Sequence, residues 1–409
     1  MNVGVADDDL DEVLAVDLAD PSLYGGERPE QVWRTLRRAG TPVRSQGEFP
    51  YWVLTRYAHI ESVYHATGSF SSEKGMQLGV ERSSALLAAE AAAGKMLIVS
   101  DDPAHAEIRK AIGSAFQPRM IRRLTDNTLA IARDLVAAAA TGEPVDFVAE
   151  VSAKLPATVI CDLLGVPPTD RQWISGVTQT AFGDPGPDHA ATQVAAHTEL
   201  FDYCDHLVNT KRREPGEDVA TALTTATLGG RPMSQEVAVL NCHGLISGGN
   251  ETTRHAGSAA ALSMVTWPGQ WELLRAGRAS VDDAAEETLR FSSPANHVMR
   301  VATADHEVGG VTIRAGEFTT LWLGSANRDE DVFIRPDDLD FTRRPNRHLT
   351  FGLGGHFCLG AFLARMELRS LIQALLEQVD AVALAGEPQR LVSNFLRGYT
   401  RLPLTLEPR

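Results

Sequence analysis

The chain has 409 residues, of which 44% are hydrophobic and 22% charged, a composition typical of a folded globular protein and not of a disordered one. Its formal net charge of −15 disfavours general nucleic-acid binding, because phosphates are repelled. The acidic first twenty residues lack the basic and apolar regions of a signal peptide, and no apolar run reaches the ~18 residues of a membrane span. We therefore expect a cytoplasmic protein without a membrane anchor.

The hydrophobic pattern is mainly helical. Apolar residues recur at intervals of three and four, for example over 118–140 and 360–379. Two segments, 41–56 and 298–324, instead show short β-branched runs around turn residues, and these could share one sheet. The sequence predicts a mainly α fold with a small β region (α+β), forming one domain over 1–409, with 1–20 as a flexible or peripheral segment.

Two segments in the first half of the chain carry distinctive polar patterns. In 101–119, His105 and Arg109 lie four residues apart, which places them on one face of a helix. The Pro/Gly-rich stretch FGDPGPDH (182–189) interrupts helical patterns on both sides and predicts a surface loop between two helices.

A long helix is predicted from Ser234, a good N-cap residue, to Trp267, with Pro268 as the stop. About thirty residues at 1.5 Å each span ~45 Å, enough to cross the domain. Its centre, GGNETT (248–253), is unfavourable for a helix, since each glycine costs about 1 kcal/mol relative to alanine. Such a site indicates a packing notch, a solvent-facing polar patch or a functional groove.

Further along, Glu287 and Arg290 lie three apart on one predicted helix face and can pair. Taken alone, this pattern is nearly uninformative, because most such pairs are weak surface ion pairs.

The four cysteines lack the close pairs of a zinc site and the density of a disulfide scaffold. Cys161, Cys204 and Cys242 lie in apolar helical patterns and are expected to be small buried hydrophobic residues. Cys358 differs, because it lies in the glycine-rich stretch FGLGGHFCLG (351–360), near the start of a predicted helix where a thiolate is favoured. A thiolate is a good metal ligand, but a redox-active thiol, a nucleophile assisted by His356 or an incidental buried cysteine also fit this stretch.

The stretch resembles the haem-binding loop of the cytochrome P450 family, FxxGxHxCxG, matched here by Phe351, Gly354, His356, Cys358 and Gly360. The resemblance extends from about Pro50 to Leu404 and is to the soluble bacterial type. It implies a helical body enclosing haem b, with the long helix crossing over the haem. It also implies that Cys358 is the axial thiolate, that Phe351 packs over the sulfur and that His356 approaches a propionate.

The same resemblance interprets the centre of the long helix, because GGNETT is similar to the family motif [AG]-G-x-[DE]-T. Gly248 then opens a groove for dioxygen. Oxygen activation needs protons delivered without flooding the site, so Glu251 is the expected acid and Thr252 the expected alcohol. Thr253 is expected to support the helix, and the role of Asn250 stays open.

The supporting charges are implied in the same way. Glu287 and Arg290 resemble the family's ExxR motif, with Arg343 as the third member of a buried structural core. Two propionates require cationic partners. The residues matching those positions are His105, Arg109, Arg300 and His356. Asp102 departs from the family segment, which has a second proline there.

The reaction implied is a monooxygenation, the hydroxylation or epoxidation of a small organic molecule with O2 and two electrons. The electrons would come from a ferredoxin-type donor and its reductase, docking on a basic surface with charge-steered association. That surface would draw on Lys110, Arg119, Arg122, Arg123, Arg344, Arg347 and Arg365. The alternatives are a haem-thiolate peroxygenase, which generally lacks the acid–alcohol pair, and a non-catalytic haem sensor or electron carrier.

The substrate pocket is expected to mix apolar surface with a few polar groups. By family position it includes segment 74–82 and the residues Met76, Leu78, Phe182, Gly244, Ser247, Gly248, Ala295, Asn296, His297, Phe395 and Leu396. His297 has a simpler interpretation as a satisfied structural residue. The type of protein resembled favours a tailoring step in secondary metabolism, on a free or carrier-bound substrate, by a monomer.

Overall fold

The computed structural model describes residues 12–13, 15–26, 28–46, 49–66, 68–79, 89–113, 118–182 and 190–409. Parts of the predicted pocket segment 74–82 and of the predicted loop 182–189 lie outside these ranges. The helices are α1 (Arg28–Ala39), α2 (Tyr57–His65), α3 (Ala104–Gly113), α4 (Pro118–Ala139), α5 (Lys154–Leu164), α6 (Arg171–Ala181), α7 (Ala190–Arg213), α8 (Val219–Thr225), α9 (Gln235–Thr266), α10 (Pro268–Arg275), α11 (Val281–Ser292), α12 (Leu323–Ala326) and α13 (Ala361–Gln378). A π-helical turn covers Val148–Ser152, and short 3-10 helices cover Pro21–Gly25, Leu97–Val99, Pro168–Asp170 and Gly354–His356.

The strands are short and form small sheets. They are β1 (Val43–Arg44), β2 (Tyr51–Leu54), β3 (Phe70–Ser71), β4 (Pro144–Asp146), β5 (Thr227–Leu228), β6 (Arg231–Pro232), β7 (Val298–Ala302), β8 (His306–Val308), β9 (Val311–Ile313), β10 (Phe318–Leu321), β11 (Val379–Leu384), β12 (Gln389–Arg390), β13 (Tyr399–Arg401) and β14 (Pro403–Pro408). The five-stranded sheet has the order β1-β2-β10-β7-β3.

That sheet joins the two β segments predicted from the sequence. Strand β10 runs parallel to β2, with Thr319 opposite Trp52, and antiparallel to β7, with Thr319 opposite Arg300. A parallel pairing of strands so distant in sequence requires a long connection, which the helices between them supply. The prediction of a shared sheet is confirmed, and β7 carries Arg300 into the interior.

The long helix α9 is continuous over 32 residues. It begins as predicted, because the Ser234 side chain accepts a hydrogen bond from the Val237 amide at 3.3 Å. The two central glycines do not interrupt it, and they serve different purposes. A Cβ added at Gly249 would lie 2.9 Å from Ile160 Cδ1 on α5, whereas one added at Gly248 would meet nothing within 4 Å. Gly249 is therefore a packing notch, and Gly248 borders open space.

The largest hydrophobic cluster includes α4, α5, α7, α9 and α13, and two smaller clusters include side chains of the five-stranded sheet. The predicted peripheral segment 1–20 is described only in part, and Leu18 within it is buried against the cluster that contains Trp33 and Trp322. None of the described helices combines the length and apolar character needed to cross a lipid bilayer.

Candidate active site

A glycine-rich loop positions the Cys358 side chain immediately before α13. The Cys358 amide donates to the Phe351 carbonyl at 2.9 Å, and the Phe357 amide donates to Gly354 at 3.1 Å, which folds the loop back on itself. Gly352 and Gly354 have φ of 66° and 67°, the left-handed region that glycine adopts readily. An added Cβ at Gly354 would also lie 3.0 Å from the Tyr64 carbonyl oxygen.

Cys358 is exposed as a residue, while the other three cysteines are buried as predicted. Burial among protein atoms raises its pKa, whereas the Gly360 amide and the charges of Arg109 and Arg365 lower it. A metal ion or another positive charge bound at this thiol would further favour the thiolate.

Four nitrogen-bearing side chains gather beside this loop. The His105 and His356 rings lie 4.1 Å apart, centroid to centroid. Burial lowers the pKa of His356 to about 3, and the nearby charges of Arg300, His105 and Arg109 act in the same direction. His105 Nε2 is buried without a hydrogen-bond partner, and among the described residues Arg300 forms no ion pair. Such a cluster fits a bound dianion.

The helical polar residues divide between two faces of α9. Thr252 is half-buried and donates to the Gly248 carbonyl at 3.2 Å, within its own helix. Glu251 is buried and contacts Arg254 as an ion pair. Burial raises the pKa of Glu251, although Arg254 opposes this shift. Asn250 donates to Thr178 Oγ1 at 2.6 Å, a contact that joins α9 to α6.

The structure brings Glu287, Arg290 and Arg343 together in the interior. Arg290 binds Glu287 through Nε–Oε2 and Nη2–Oε1 contacts of 2.8 Å each, and Arg343 Nε lies 3.0 Å from Glu287 Oε1. The neighbouring carboxylate Glu286 binds Arg365, whose guanidinium lies 4.5 Å from the Phe351 ring centroid. These contacts link α11 to the Cys358 loop.

The predicted pocket residues fall into two groups. One wall is formed where segments 76–78, 295–299 and 395–396 meet: the Met299 amide donates to Met76 at 2.7 Å, the Asn296 amide donates to Phe395 at 2.8 Å, and Ala295 forms a bridge with Leu396. The second group lies on α9 and at the end of α6: Gly244 faces Met96, Ser247 is half-buried beside Gly248, and Phe182 packs edge-on to His197 with centroids 4.9 Å apart.

Within that wall, His297 has a structural role. It lies between the Leu78 amide, 2.9 Å from Nε2, and the Asn394 carbonyl, 3.0 Å from Nδ1. It is fully buried, and burial lowers its pKa to about 4, so it is neutral at pH 7. Asn296 is also buried and donates to Asn394. Both side chains fix the wall, and their polar atoms are used within the protein, apart from Asn296 Oδ1.

Three residues that contact the site residues were not predicted from the sequence. Tyr64 lies against the loop, with its hydroxyl 3.1 Å from a Cβ added at Gly352, and it interacts with Arg300. Ser72 Oγ lies 3.2 Å from His356 Nε2. Arg254 contacts Glu251. Tyr64 and Ser72 carry no local pattern, whereas the i, i+3 spacing of Glu251 and Arg254 was a usable signal.

Known proteins with similar sequences and structures share this architecture. The family model "Cytochrome P450" matches residues 280–396. Linalool 8-monooxygenase of Pseudomonas putida is 33% identical over 403 residues, covering 96% of this chain and 99% of its own. The structure of P450 OxyD, involved in biosynthesis of vancomycin-type antibiotics, aligns over 97% of this chain and 100% of its own, with 34% identity and a TM-score of 0.87. P450BioI, in complex with an acyl carrier protein, covers 93% and 98% with 27% identity and a TM-score of 0.83.

The chain belongs to the cytochrome P450 family. It is a cytochrome P450 monooxygenase, an oxidoreductase that uses haem b and dioxygen. The residues fit that cofactor: Cys358 would offer iron a thiol ligand, and the Arg109 and Arg300 guanidinium groups beside the His105 and His356 rings would suit two propionates.

Proposed function

We propose that Cys358 is the axial ligand of the haem iron and that His105, Arg109, Arg300 and His356 hold the propionates. The observation that carries this assignment is that His356 lies two residues before Cys358 on the same loop and its ring lies 4.1 Å from that of His105, so the thiol and the nitrogen-bearing cluster belong to one site. The Arg365 guanidinium packs on the Phe351 ring beside the loop, and the Gly360 amide stabilises the thiolate. When bound, haem supplies dioxygen activation and the transfer of one oxygen atom to substrate.

We further propose that Glu251 and Thr252 deliver protons to the site. Burial raises the pKa of the Glu251 carboxyl, so this group holds a proton more readily than an exposed glutamate does. Its carboxyl contacts Arg254, while the Thr252 hydroxyl is bound to Gly248, so the two groups are not bonded to each other. The acid therefore has to leave Arg254, or use a water molecule, to reach the alcohol.

The test is the fraction of electrons recovered in product after reconstitution with a ferredoxin and its reductase. Removing the acid in Glu251→Gln should slow turnover by roughly 10²-fold, and Thr252→Ala should divert reduced oxygen to hydrogen peroxide. Thr253→Ala is the matched control, because Thr253 is the adjacent buried threonine. Equal coupling in all three variants and the parent would refute the assignment.

We propose that the reaction is hydroxylation or epoxidation of a small organic molecule, as a tailoring step in bacterial secondary metabolism, by a monomeric enzyme. The likeness to OxyD supports the pathway class, and the likeness to P450BioI supports presentation on a carrier protein. Gly248 supports an open distal side, since an added Cβ would meet nothing within 4 Å. Candidate compounds should be titrated both free and as carrier thioesters, and spin-state shifts in the Soret band should be recorded. If no candidate compound shifts the Soret band, either free or as a carrier thioester, the proposed pathway class is refuted.

The proposed electron donor is an acidic ferredoxin-type protein. Around the Cys358 loop, Phe357 and Phe362 are 37% and 46% exposed. Lys110, Arg122 and Arg347 are exposed, whereas Arg344 and Arg365 are neutralised by Asp283 and Glu286. Among the described residues, Lys110, Arg122 and Arg347 have no carboxylate partner, so these three cations should steer the ferredoxin. Reversing Arg122 to Glu should slow ferredoxin-dependent reduction at low salt more than at high salt, while Arg344→Glu should have the smaller effect. Equal effects at both salt concentrations would exclude charge steering.

A further inference from the structure

Two rows of side chains run side by side along α9, because residues four apart share a helix face. One row consists of Gly244, Gly248 and Thr252; Gly248 borders open space, whereas Gly244 faces the Met96 side chain. The second row, here called the polar row, is displaced by one residue at each turn and consists of His243, Ser247, Glu251 and His255.

Every member of the polar row holds buried polar atoms that have no hydrogen-bond partner within the described part of the protein. They are His243 Nδ1, Ser247 Oγ and His255 Nδ1, and the Glu251 carboxylate has only its ion-pair contact with Arg254. His243, Glu251 and His255 are 6%, 1% and 0% exposed. Buried polar atoms are normally bonded to protein or to ordered water. Four such residues at a constant spacing of one turn indicate that water serves them all.

We propose that the polar row is a hydrated track that carries protons from His243 through Ser247 to the Glu251 carboxyl. Successive side chains are one helical turn apart, ~6 Å, so a single water molecule can bridge each gap with two hydrogen bonds. The hydroxyl of Ser247 both donates and accepts, which is what a proton relay requires. The proposal rests on the role of Glu251 as the proton-delivering acid.

The outer end of the track has a suitable connection to solvent. His243 Nε2 lies 3.4 Å from Nδ1 of His197, a half-buried residue of α7, and Phe201 stacks on the His243 ring at 3.8 Å and 5°. Burial lowers the pKa of His243 to about 3, with the charge of His197 acting in the same direction, so the ring is neutral at pH 7. A neutral imidazole accepts a proton at one nitrogen and donates from the other. Because Nε2 faces His197, Nδ1 is the ring nitrogen available to the track, and the stacking on Phe201 holds the ring in this orientation.

His243 and Ser247 act through Glu251 and are positioning residues, so the test must distinguish a relay from a packing role. The variants are Ser247→Ala and His243→Phe, and the matched control is Ser258→Ala, a buried serine of the same helix whose hydroxyl bonds Ser152 Oγ at 2.8 Å and the Arg254 carbonyl at 2.9 Å. The measurements on the haem-loaded enzyme are the solvent deuterium isotope effect on product formation and the pH profile of coupling. Ferrous–CO spectra verify that each variant is folded.

We expect Ser247→Ala and His243→Phe each to raise the isotope effect by a factor of about 2 to 3 and to make coupling more pH-dependent, with Ser258→Ala unchanged. Unaltered isotope effects in both relay variants, alongside an altered one in Glu251→Gln, would overturn the track and leave the proposed function intact. An unaltered effect in Glu251→Gln would overturn the acid assignment itself. A crystal structure should show ordered water within hydrogen-bond distance of Ser247 Oγ and His243 Nδ1, and a Ser247 hydroxyl bonded only to its own helix would also overturn the proposal.

Discussion

Arg290 and Glu287 form a closed buried ion pair across one turn of α11. All five guanidinium N–H groups of Arg290 are used, two on the Glu287 carboxylate and the others on the carbonyls of Asn327, Pro336 and Asp338, at 2.7 to 2.9 Å. Glu287 in turn accepts from Arg343, Asn346 Nδ2 and the Asp340 amide. The pair therefore ties α11 to the long irregular segment that leads into the Cys358 loop.

The first prediction concerns this pair. Glu287→Gln leaves two buried guanidinium groups without their counter-charge and should lower the free energy of unfolding by about 3 to 5 kcal/mol. Glu150→Gln, which removes an exposed i, i+4 partner of Lys154, should cost less than about 0.5 kcal/mol. Urea denaturation compares the two, and a Glu287→Gln cost no larger than that of Glu150→Gln would contradict the buried-core interpretation.

The second prediction is a pH dependence at Glu286. Burial alone would raise the pKa of this carboxyl, but hydrogen bonds from His348 and Arg365 prevail and lower it to about 2. A lowered carboxyl pKa stabilises the folded state fully above the ordinary value of 4.5, and this contribution is lost as the pH falls towards 2. Glu286→Gln should therefore cost about 1 to 2 kcal/mol at pH 7 and much less at pH 3. The exposed Glu272→Gln should show no such difference in denaturation at the two pH values, and an equal cost for Glu286→Gln at both would contradict the shift.

The third prediction separates the two central glycines of α9. Alanine at either position gains about 1 kcal/mol of helix propensity. At Gly249 that gain is opposed by contact with the buried Ile160 side chain, whereas at Gly248 the new methyl group enters open space. Gly248→Ala should thus be the more stable protein and should lose affinity for bulky ligands in spectral titrations. If Gly249→Ala were the more stable protein, Ile160 on α5 would have to move aside for the new methyl group more easily than the residues around Gly248 do.

The fourth prediction concerns Arg300, whose buried charge lacks a carboxylate partner among the described residues. In haem-free protein Arg300→Leu should be neutral or stabilising, because an uncompensated buried charge is removed. In the haem-loaded protein it should speed haem loss to apomyoglobin by about tenfold, because a charge-assisted bond to a propionate is lost. Arg347→Leu, at an exposed position, is the control. A destabilised apoprotein with unchanged haem retention would contradict the propionate assignment.

Much of the fold could be predicted because its signals are local. The capped helix α9 followed from Ser234 and Pro268, and the two β segments were recognised by alternation and turns, although not their order in the sheet. The interior polar contacts could not be predicted, since they join distant residues. His297 was placed in the pocket by position, yet its partners come from Leu78 and Asn394, which no spacing reveals. For Tyr64, only the folded loop shows the contact with Gly352.

The most direct test of the central claim is the ferrous–CO spectrum of the purified protein beside that of Cys358→His, a variant that keeps a possible iron ligand. The parent should show the red-shifted Soret band of haem-thiolate proteins, and the variant should retain haem with the band moved to the position of histidine-ligated haem. A parent band without the thiolate shift, or a variant band identical to the parent's, would contradict the assignment of Cys358 as the axial ligand.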